Sequence, residues 1–327
     1  MTFFTIIIPC KNKSKLLAKT INKLNKQLYK NFETIVLPDK PIKKIDLPNL
    51  KNLKIISTGE VPPGIKRDVG SKYSNGKFLV FLDDDSYPSQ KWLQNAKNII
   101  FKNKNIKCFG GSSILPNDDN EFSKVCDYIF RISPSNISLR YGENKKIKSK
   151  VVKDWPTVNL FICKKIFQKI NGFSNYYWPG EDTILCRKLL LNKIKIFYFN
   201  NLHVFHYRRS DIRKYTNQIS RYGVHRGFFA KKYPENSGLI YFVPLFFILI
   251  MFFLTASGFI NLIYSLFLIF NVLIMYLIYI NFKFFLIKGK IKYLFYFNLG
   301  CLFTHLIYGI YFLKGFFSKK LPKFKSR

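Results

Sequence analysis

Over most of its length the chain alternates short apolar runs with stretches in which apolar residues recur every three or four positions. Thr5–Ile8 predicts a buried strand. Leu16, Leu17, Ile21, Leu24 and Leu28 then share one helix face, and the Ser14 hydroxyl can accept an N–H from the first turn. Thr34–Leu37 and Leu53–Ile56 predict two more strands. Ile65, Val69 and Tyr73 define a helix face after Pro62-Pro63. Phe78–Leu82 is the next strand, followed by a helix containing Trp92 and Leu93. Phe161–Cys163 and Ile194–Phe199 are later strands, with a helix opening at Glu181-Asp182 between them; its Ile184, Leu185, Leu189 and Leu190 face the core. Alternation of this kind predicts an α/β fold, a mostly parallel sheet flanked by helices on both faces.

The pattern then changes. Leu239 to Phe282 is a run of 44 residues without a charge. One bilayer crossing takes about 20 apolar residues, so this run suits a hairpin of two helices, broken near Ser257-Gly258 and Asn261. A third uncharged run, Tyr293–Leu313, is also long enough. The expected organisation is an α/β domain over 1–236 and an all-α transmembrane segment over 237–327, with two or three transmembrane helices and a basic tail. Phe3–Ile8 is short and ends at Pro9, unlike a signal peptide. Two spans would return Lys283, Lys288, Lys290 and Lys292 to the side of the α/β domain, as the positive-inside rule prefers. A third would carry Lys314, Lys319, Lys320, Lys323, Lys325 and Arg327 to the other side, against that rule. His305, Gly309 and Gly315 in the third run point to helix packing or an interface.

Charge sharpens this division. The 327 residues hold 54 Lys+Arg and 18 Asp+Glu, and every acid lies before residue 239. Abundant Lys, Asn, Ile and Phe are what an AT-rich genome encodes. The excess also attracts anionic lipid headgroups, by about 1 kcal/mol per basic residue near the surface. Nucleic acid is not an expected partner, because no recognition motif accompanies the charge. The six cysteines form no C-x-x-C pair and suit buried positions in a reducing compartment. The α/β domain is therefore expected in the cytoplasm, with the chain in the inner (cytoplasmic) membrane.

Against that basic background, 77-KFLVFLDDDSYPSQKW-92 gathers Asp83, Asp84 and Asp85 directly after a strand. Open α/β sheets bind ligands outside the carboxyl ends of their strands. Carboxylates at i and i+2 can converge on a hard cation, Mg²⁺ or Mn²⁺, that bridges to substrate phosphates. The alternative is a solvated turn in which Asp85 or Ser89 caps the following helix.

Several segments in order carry a resemblance: 5-TIIIPCKN-12, 33-ETIVLPD-39, 64-GIKRDVGSKYSNGKFLVFLDDDS-86, 171-NGFSNYYWPGED-182, 180-GEDTILCRKLLLNK-193, 202-LHVFHYRRS-210 and 218-QISRY-222. Over about residues 3–225 the chain resembles the family 2 glycosyltransferases with the Rossmann-like GT-A fold. The resemblance implies donor-binding roles for Pro9, Asn12, Asp39, Arg67, Asp83 and Asp84. Asp39 would lie near the nucleotide base, although Pro38 stands where the family usually shows a first acid. Arg67 would contact the donor's phosphates. Asp83 and Asp85 would be the outer members of the D-x-D motif, with His206 completing the metal site. Asp182 would be the catalytic base, with Glu181 beside it; both acids also suit a helix N-terminus, where the dipole favours a carboxylate by about 0.3–1 kcal/mol. Gln218, Arg221 and Tyr222 resemble the Q-x-x-R-W motif at the acceptor, membrane-proximal end of polysaccharide synthases.

The implied function is a metal-dependent, inverting sugar transfer from a nucleotide-diphospho-sugar, UDP-linked, to a lipid-linked or cell-envelope glycan acceptor. The alternatives are a processive polysaccharide synthase, a nucleotidyltransferase, and a non-catalytic basic protein that binds the membrane surface. Segment 114–146 is expected to form part of the acceptor wall.

Overall fold

The computed structural model describes residues 2–133, 135–142, 146–174, 177–236 and 238–321. Tail residues Lys323, Lys325 and Arg327, and positions 175–176 of the lead-in to Glu181-Asp182, lie outside the described residues. In chain order the elements are β1 (Phe4–Pro9), α1 (Lys15–Asn25), β2 (Phe32–Leu37), β3 (Leu53–Ile55), α2 (Pro63–Lys72), β4 (Phe78–Leu82), β5 (Ser86–Pro88), α3 (Trp92–Lys102), β6 (Cys108–Gly110) and β7 (Ser113–Ile114). Then follow α4 (Glu121–Arg131), β8 (Ser149–Val152), β9 (Asn159–Cys163), α5 (Lys164–Lys169), α6 (Glu181–Leu191), β10 (Ile196–Phe199), β11 (Val204–His206), α7 (Ile212–Lys232), α8 (Val243–Ser257), α9 (Leu262–Leu286) and α10 (Leu294–Phe317). They fall into two compact units, Met1–Asn117 with Leu139–Tyr207, and Asp118–Ser138 with Arg208–Pro322.

The first unit holds an eight-stranded sheet in the order β3-β2-β1-β4-β9-β6-β10-β8. Strands β3, β2, β1 and β4 are mutually parallel, as are β6 and β10, while β9 and β8 run against their neighbours. The fold is therefore the mostly parallel α/β sheet that the alternation predicts. Side chains on a strand point alternately to opposite faces. Phe4, Ile6, Ile8, Val80 and Leu82 accordingly pack on one side with Leu17, Ile21 and Trp92. Ile7, Leu79 and Phe81 pack on the other with Leu185, Cys186 and Leu189. In-register pairing of β1 with β2 and β4 brings the carboxyl ends of all three to one edge.

Three local expectations need correction. Leu28 lies beyond α1 and is exposed; Gln27 is buried instead, donating to the Ser89 carbonyl (2.8 Å) and accepting from Leu93 N (3.2 Å). On α2 the buried positions include Lys66 and Arg67, whose charges are met by Asp39, Asp83 and Glu181, whereas Tyr73 is exposed. Neither Asp85 nor Ser89 caps α3, whose N-cap is Lys91.

The second unit is helical. Its α8, α9 and α10, with short lead-in turns, are each long and apolar enough to cross a membrane, which suggests membrane association. Helix α10 packs along α7: Tyr215 OH lies 2.7 Å from Thr304 Oγ1, and Ala230 packs against Phe312 further along both helices. Glycines allow this. A Cβ on Gly227 would stand 2.0 Å from the Phe312 carbonyl oxygen, and one on Gly315 2.0 Å from that of Val224. Helix α4 packs on α9 and α10 through Ile129, Ile280, Phe284 and Phe297, so 118–138 belongs by packing to this unit.

Candidate active site

The site grows from the end of β4. After Leu82 the chain turns back within three residues, with Ser86 N and Oγ donating to the Asp83 carbonyl (3.2 and 2.9 Å). Strand β5 then pairs antiparallel with β11, which sets His206 opposite Ser86. Tyr207 N donates to the Asp85 carbonyl (3.1 Å). That register brings His206 Nε2 to 3.2 Å from Asp85 Oδ1. Asp83, Asp85 and His206 each offer one ligand atom, all within 4.8 Å of one another. Two carboxylates and an imidazole at this spacing fit a divalent cation. The oxygens suit Mg²⁺ or Mn²⁺, and the nitrogen favours the transition metal.

Helix α2 joins this cluster to the start of α6. Arg67 is 2% exposed. Its Nη2 donates to Asp83 Oδ1 (2.7 Å) and its Nη1 to Glu181 Oε1 (3.2 Å), while the guanidinium lies over the Phe173 ring. One buried cation thus holds an acid of the metal cluster and an acid of the E-D pair. Gly64 lets the helices meet: a Cβ there would stand 3.3 Å from the Glu181 Cβ. Burial pushes the Glu181 carboxyl above its usual range, the neighbouring Asp182 charge adds to this, and Arg67 opposes both. Asp182 is half-buried at the N-terminus of α6, and its Oδ1 accepts from Thr183 N (2.8 Å).

The loop before α6 is fixed from two sides. Asp68 accepts from Phe173 N and Ser174 N (2.8 Å each). Lys188 donates to the carbonyls of Gly172 (2.9 Å) and Phe173 (3.0 Å). Gly172 has φ +51°, and a Cβ on it would stand 2.3 Å from Asp68 Oδ1. Burial raises the Asp68 carboxyl even though two N–H groups lower it. Sequence reasoning missed Asp68 and Lys188. The one available signal was the position of Asp68 directly after Arg67.

At the edge beyond β2, Asp39 is paired with the buried Lys66. Pro9 ends β1 and is buried, while Asn12 is exposed in the loop beyond it. Asp84 is half-buried between the two motif acids. Burial, then the charge of Asp84, pushes the Cys10 thiol up to about 12. Asp39, Arg67, Asp83, Asp85, Glu181, Asp182 and His206 all belong to the first unit. Gln218, Arg221 and Tyr222 belong to the second, where Gln218 Nε2 donates to Tyr222 OH (3.2 Å).

The mostly parallel sheet with its flanking helices is that of the GT-A fold. The sequence profile described as "Glycosyl transferase family 2" matches residues 5–169, and the chain belongs to that family. It is 23% identical over 278 residues to the dolichyl N-acetyl-α-D-glucosaminyl phosphate 3-β-D-2,3-diacetamido-2,3-dideoxy-β-D-glucuronosyltransferase of Methanococcus voltae, covering 81% of this chain and 84% of that protein. It is 24% identical to glycosyltransferase AglE of Haloferax volcanii, covering 56% of this chain and 60% of that protein. In fold it is similar to the mannosyltransferase PcManGT of Pyrobaculum calidifontis, solved in complex with GDP-Man and Mn²⁺. That likeness has a TM-score of 0.66 at 12% identity, covering 97% of this chain and 88% of that one.

Proposed function

We propose that this chain is a membrane-anchored, metal-dependent, inverting glycosyltransferase. It moves one sugar, or a few, from a UDP-linked donor to a lipid-linked or glycan acceptor. The observation that carries this reading is Arg67, which grips Asp83 of the metal cluster and Glu181 beside Asp182 with one guanidinium. A leaving-group end and a proton-accepting end therefore stand side by side.

Asp83, Asp85 and His206 would hold Mg²⁺ or Mn²⁺, with Mn²⁺ favoured by the imidazole. When bound, the ion supplies Lewis-acid neutralisation of the departing diphosphate. Arg67 adds a fixed positive charge and holds the Asp83 carboxylate in place. Asp182, at the N-terminus of α6, takes the proton from an acceptor hydroxyl. That oxygen bonds to the anomeric carbon from the face opposite the nucleotide. The bond from that carbon to the diphosphate breaks, and its electron pair leaves with the diphosphate. Configuration at carbon inverts, and no enzyme–sugar bond forms. Pro9, Asn12, Asp39 and Asp84 line the donor end. Gln218, Arg221 and Tyr222 serve the acceptor end.

The Methanococcus relative's name, with its dolichyl N-acetyl-α-D-glucosaminyl phosphate, supports a lipid-linked acceptor here. In sequence, 1–236 is taken as the catalytic domain and 237–327 as the anchor, in the inner membrane with the catalytic domain cytoplasmic. Two of the three apolar helices cross. Helix α10 runs beside α7, which carries Arg213, Lys214, Arg221, Arg226, Lys231 and Lys232. If α10 crossed, α7 would bring several cations toward the bilayer core, each costing at least about 2.5 kcal/mol. With α10 at the interface, the basic tail stays on the catalytic side, as the charge rule prefers. A C-terminal tag should then resist protease added to intact spheroplasts; digestion there would refute the arrangement.

The function is tested by incubating membranes containing the full chain with labelled nucleotide sugars and Mn²⁺. The expected product is an organic-soluble, lipid-linked sugar of inverted anomeric configuration, lost on chelation. Retained configuration would overturn the mechanism, a long polymer would favour the synthase, and absence of transfer from every donor would favour the non-catalytic reading.

A further inference from the structure

We infer that the first unit carries its own docking surface for anionic lipid headgroups, a row of lysines on α1 lying against an aromatic ledge on β5 and β11. The inference needs the membrane association of the chain and is independent of the sugar-transfer reading.

Strands β5, β11 and β7 form a second, three-stranded sheet in the first unit. Side chains alternate between its faces. Val204 packs in the core and His206 joins the metal cluster, so Phe205 between them takes the opposite face. There it stands directly across from Tyr87, with the two rings stacked at 5.1 Å, and the Tyr207 ring lies 6.2 Å from that of Tyr87. All three rings are half-buried. Helix α1 is held beside them by Thr20, whose hydroxyl donates to the Ser86 carbonyl (2.6 Å). Its Leu17, Ile21 and Leu24 are buried, which leaves Lys15, Lys19 and Lys23 in a row on the other side, one turn apart. Lys19 Nζ lies 4.9 Å from the centre of the Tyr87 ring and 5.1 Å from that of Tyr207, and it donates to the Tyr207 hydroxyl. Lys23 Nζ lies 5.5 Å from the centre of the Tyr87 ring.

Such a row is unfavourable by itself. Like charges one turn apart destabilise a helix, and Lys15 stands in the first turn, where the dipole disfavours a cation. Helix α1 contains no acid to offset them, and the first acid of the whole chain is Glu33. An anionic surface laid against the row removes the repulsion. The rings identify that surface as a bilayer. Tyrosines beside lysines suit the headgroup layer, where ring bodies meet the upper acyl chains and ammonium groups meet lipid phosphates. A soluble polyanion satisfies the lysines but not the rings. The apolar α8, α9 and α10, each long enough to cross a membrane, would keep a bilayer within reach.

The test uses the full chain in nanodiscs of phosphatidylcholine, alone or mixed with an equal share of phosphatidylglycerol. A spin label on Asn22→Cys, at an exposed position of α1, reports the distance to the surface through relaxation by Ni²⁺ chelated at the lipid headgroups; the native cysteines are buried. Relaxation should be strong in the anionic discs, weak in the neutral ones, and lost at high salt. Lys19→Gln combined with Lys23→Gln should lower the ratio of docked to undocked protein by about 30-fold, the value for two lysines at a charged surface. Lys19→Arg combined with Lys23→Arg should retain docking. Equal relaxation in the two discs, strong or weak, would overturn the proposal on the wild type alone, whether or not a variant folds. Unchanged relaxation in the folded glutamine variant would overturn the role of the lysines. Binding of soluble polyphosphate through the same lysines, with no difference between the discs, would assign the surface to a soluble polyanion and overturn the lipid.

Discussion

The two units differ in where they bury charge. In the first, the side chains of Lys66, Arg67 and Glu181 are all under 10% exposed and are held by opposite charges or carbonyls. In the second, the helices close on one another where side chains are missing, at Gly227 and Gly315. The second unit also buries an ion pair, Arg208 with Asp127, which ties α4 to the segment before α7. Buried charge is costly unless paired. The first unit concentrates it at one sheet edge, beside the acids assigned to the proposed reaction, while the close approaches of α7 and α10 depend on shape. Charge changes should therefore damage the first unit's activity, and size changes the second unit's stability.

The largest effect is expected at Asp182. Asp182→Asn should lower the transfer rate by about 10²–10⁴-fold, the range for a lost general base, with donor affinity and melting temperature unchanged. Initial rates, calorimetry and melting of one preparation separate these quantities. Arg67→Met leaves Asp83 and Glu181 without their shared cation. It should cost about 3–5 kcal/mol, the range for breaking a buried pair, read by denaturation in detergent. Gly227→Val tests the other side of the comparison. The added carbons meet the Phe312 carbonyl and should destabilise the helical unit by about 1–3 kcal/mol, as overpacking does. Limited proteolysis should show 208–321 cleaved first. A further effect is a pH dependence. The Glu181 carboxyl is raised from 4.5 to about 7 in the fold, so its contribution is fully present below 4.5 and is lost as pH rises through about 7. Wild-type melting temperature should therefore fall relative to Glu181→Gln over that window, and parallel curves would contradict the burial of this group.

What could be read from the sequence follows from the same contrast. Strands β1, β2 and β4 are covered on both faces, so Ile6–Ile8, Ile35–Leu37 and Phe78–Leu82 read as apolar runs, although Glu33 and Thr34 blur the start of β2. Helix α2 is legible after Pro62-Pro63 and Val69 packs on the core, but Lys66 and Arg67 are buried with it and Tyr73 is exposed, because acids wait for the two cations. The aspartates stood out against a basic chain. Their junction with His206 depends on the β5–β11 register, more than a hundred residues apart, which no local pattern records. Asp68 acts on backbone N–H groups and leaves no mark in its partners' identities. The polar helices α4 and α7 pack with the apolar ones through glycines and a few aromatic residues, and hydropathy does not see that contact.

The central claim is that one cleft separates ion-assisted departure of the diphosphate from removal of the acceptor's proton. Electron paramagnetic resonance of Mn²⁺, titrated into the protein with UDP present, tests it most directly. Wild type and Asp182→Asn should bind the ion with the same affinity, and Asp85→Asn should lose that binding. Unimpaired Mn²⁺ binding in Asp85→Asn, or its loss in Asp182→Asn, would contradict the account.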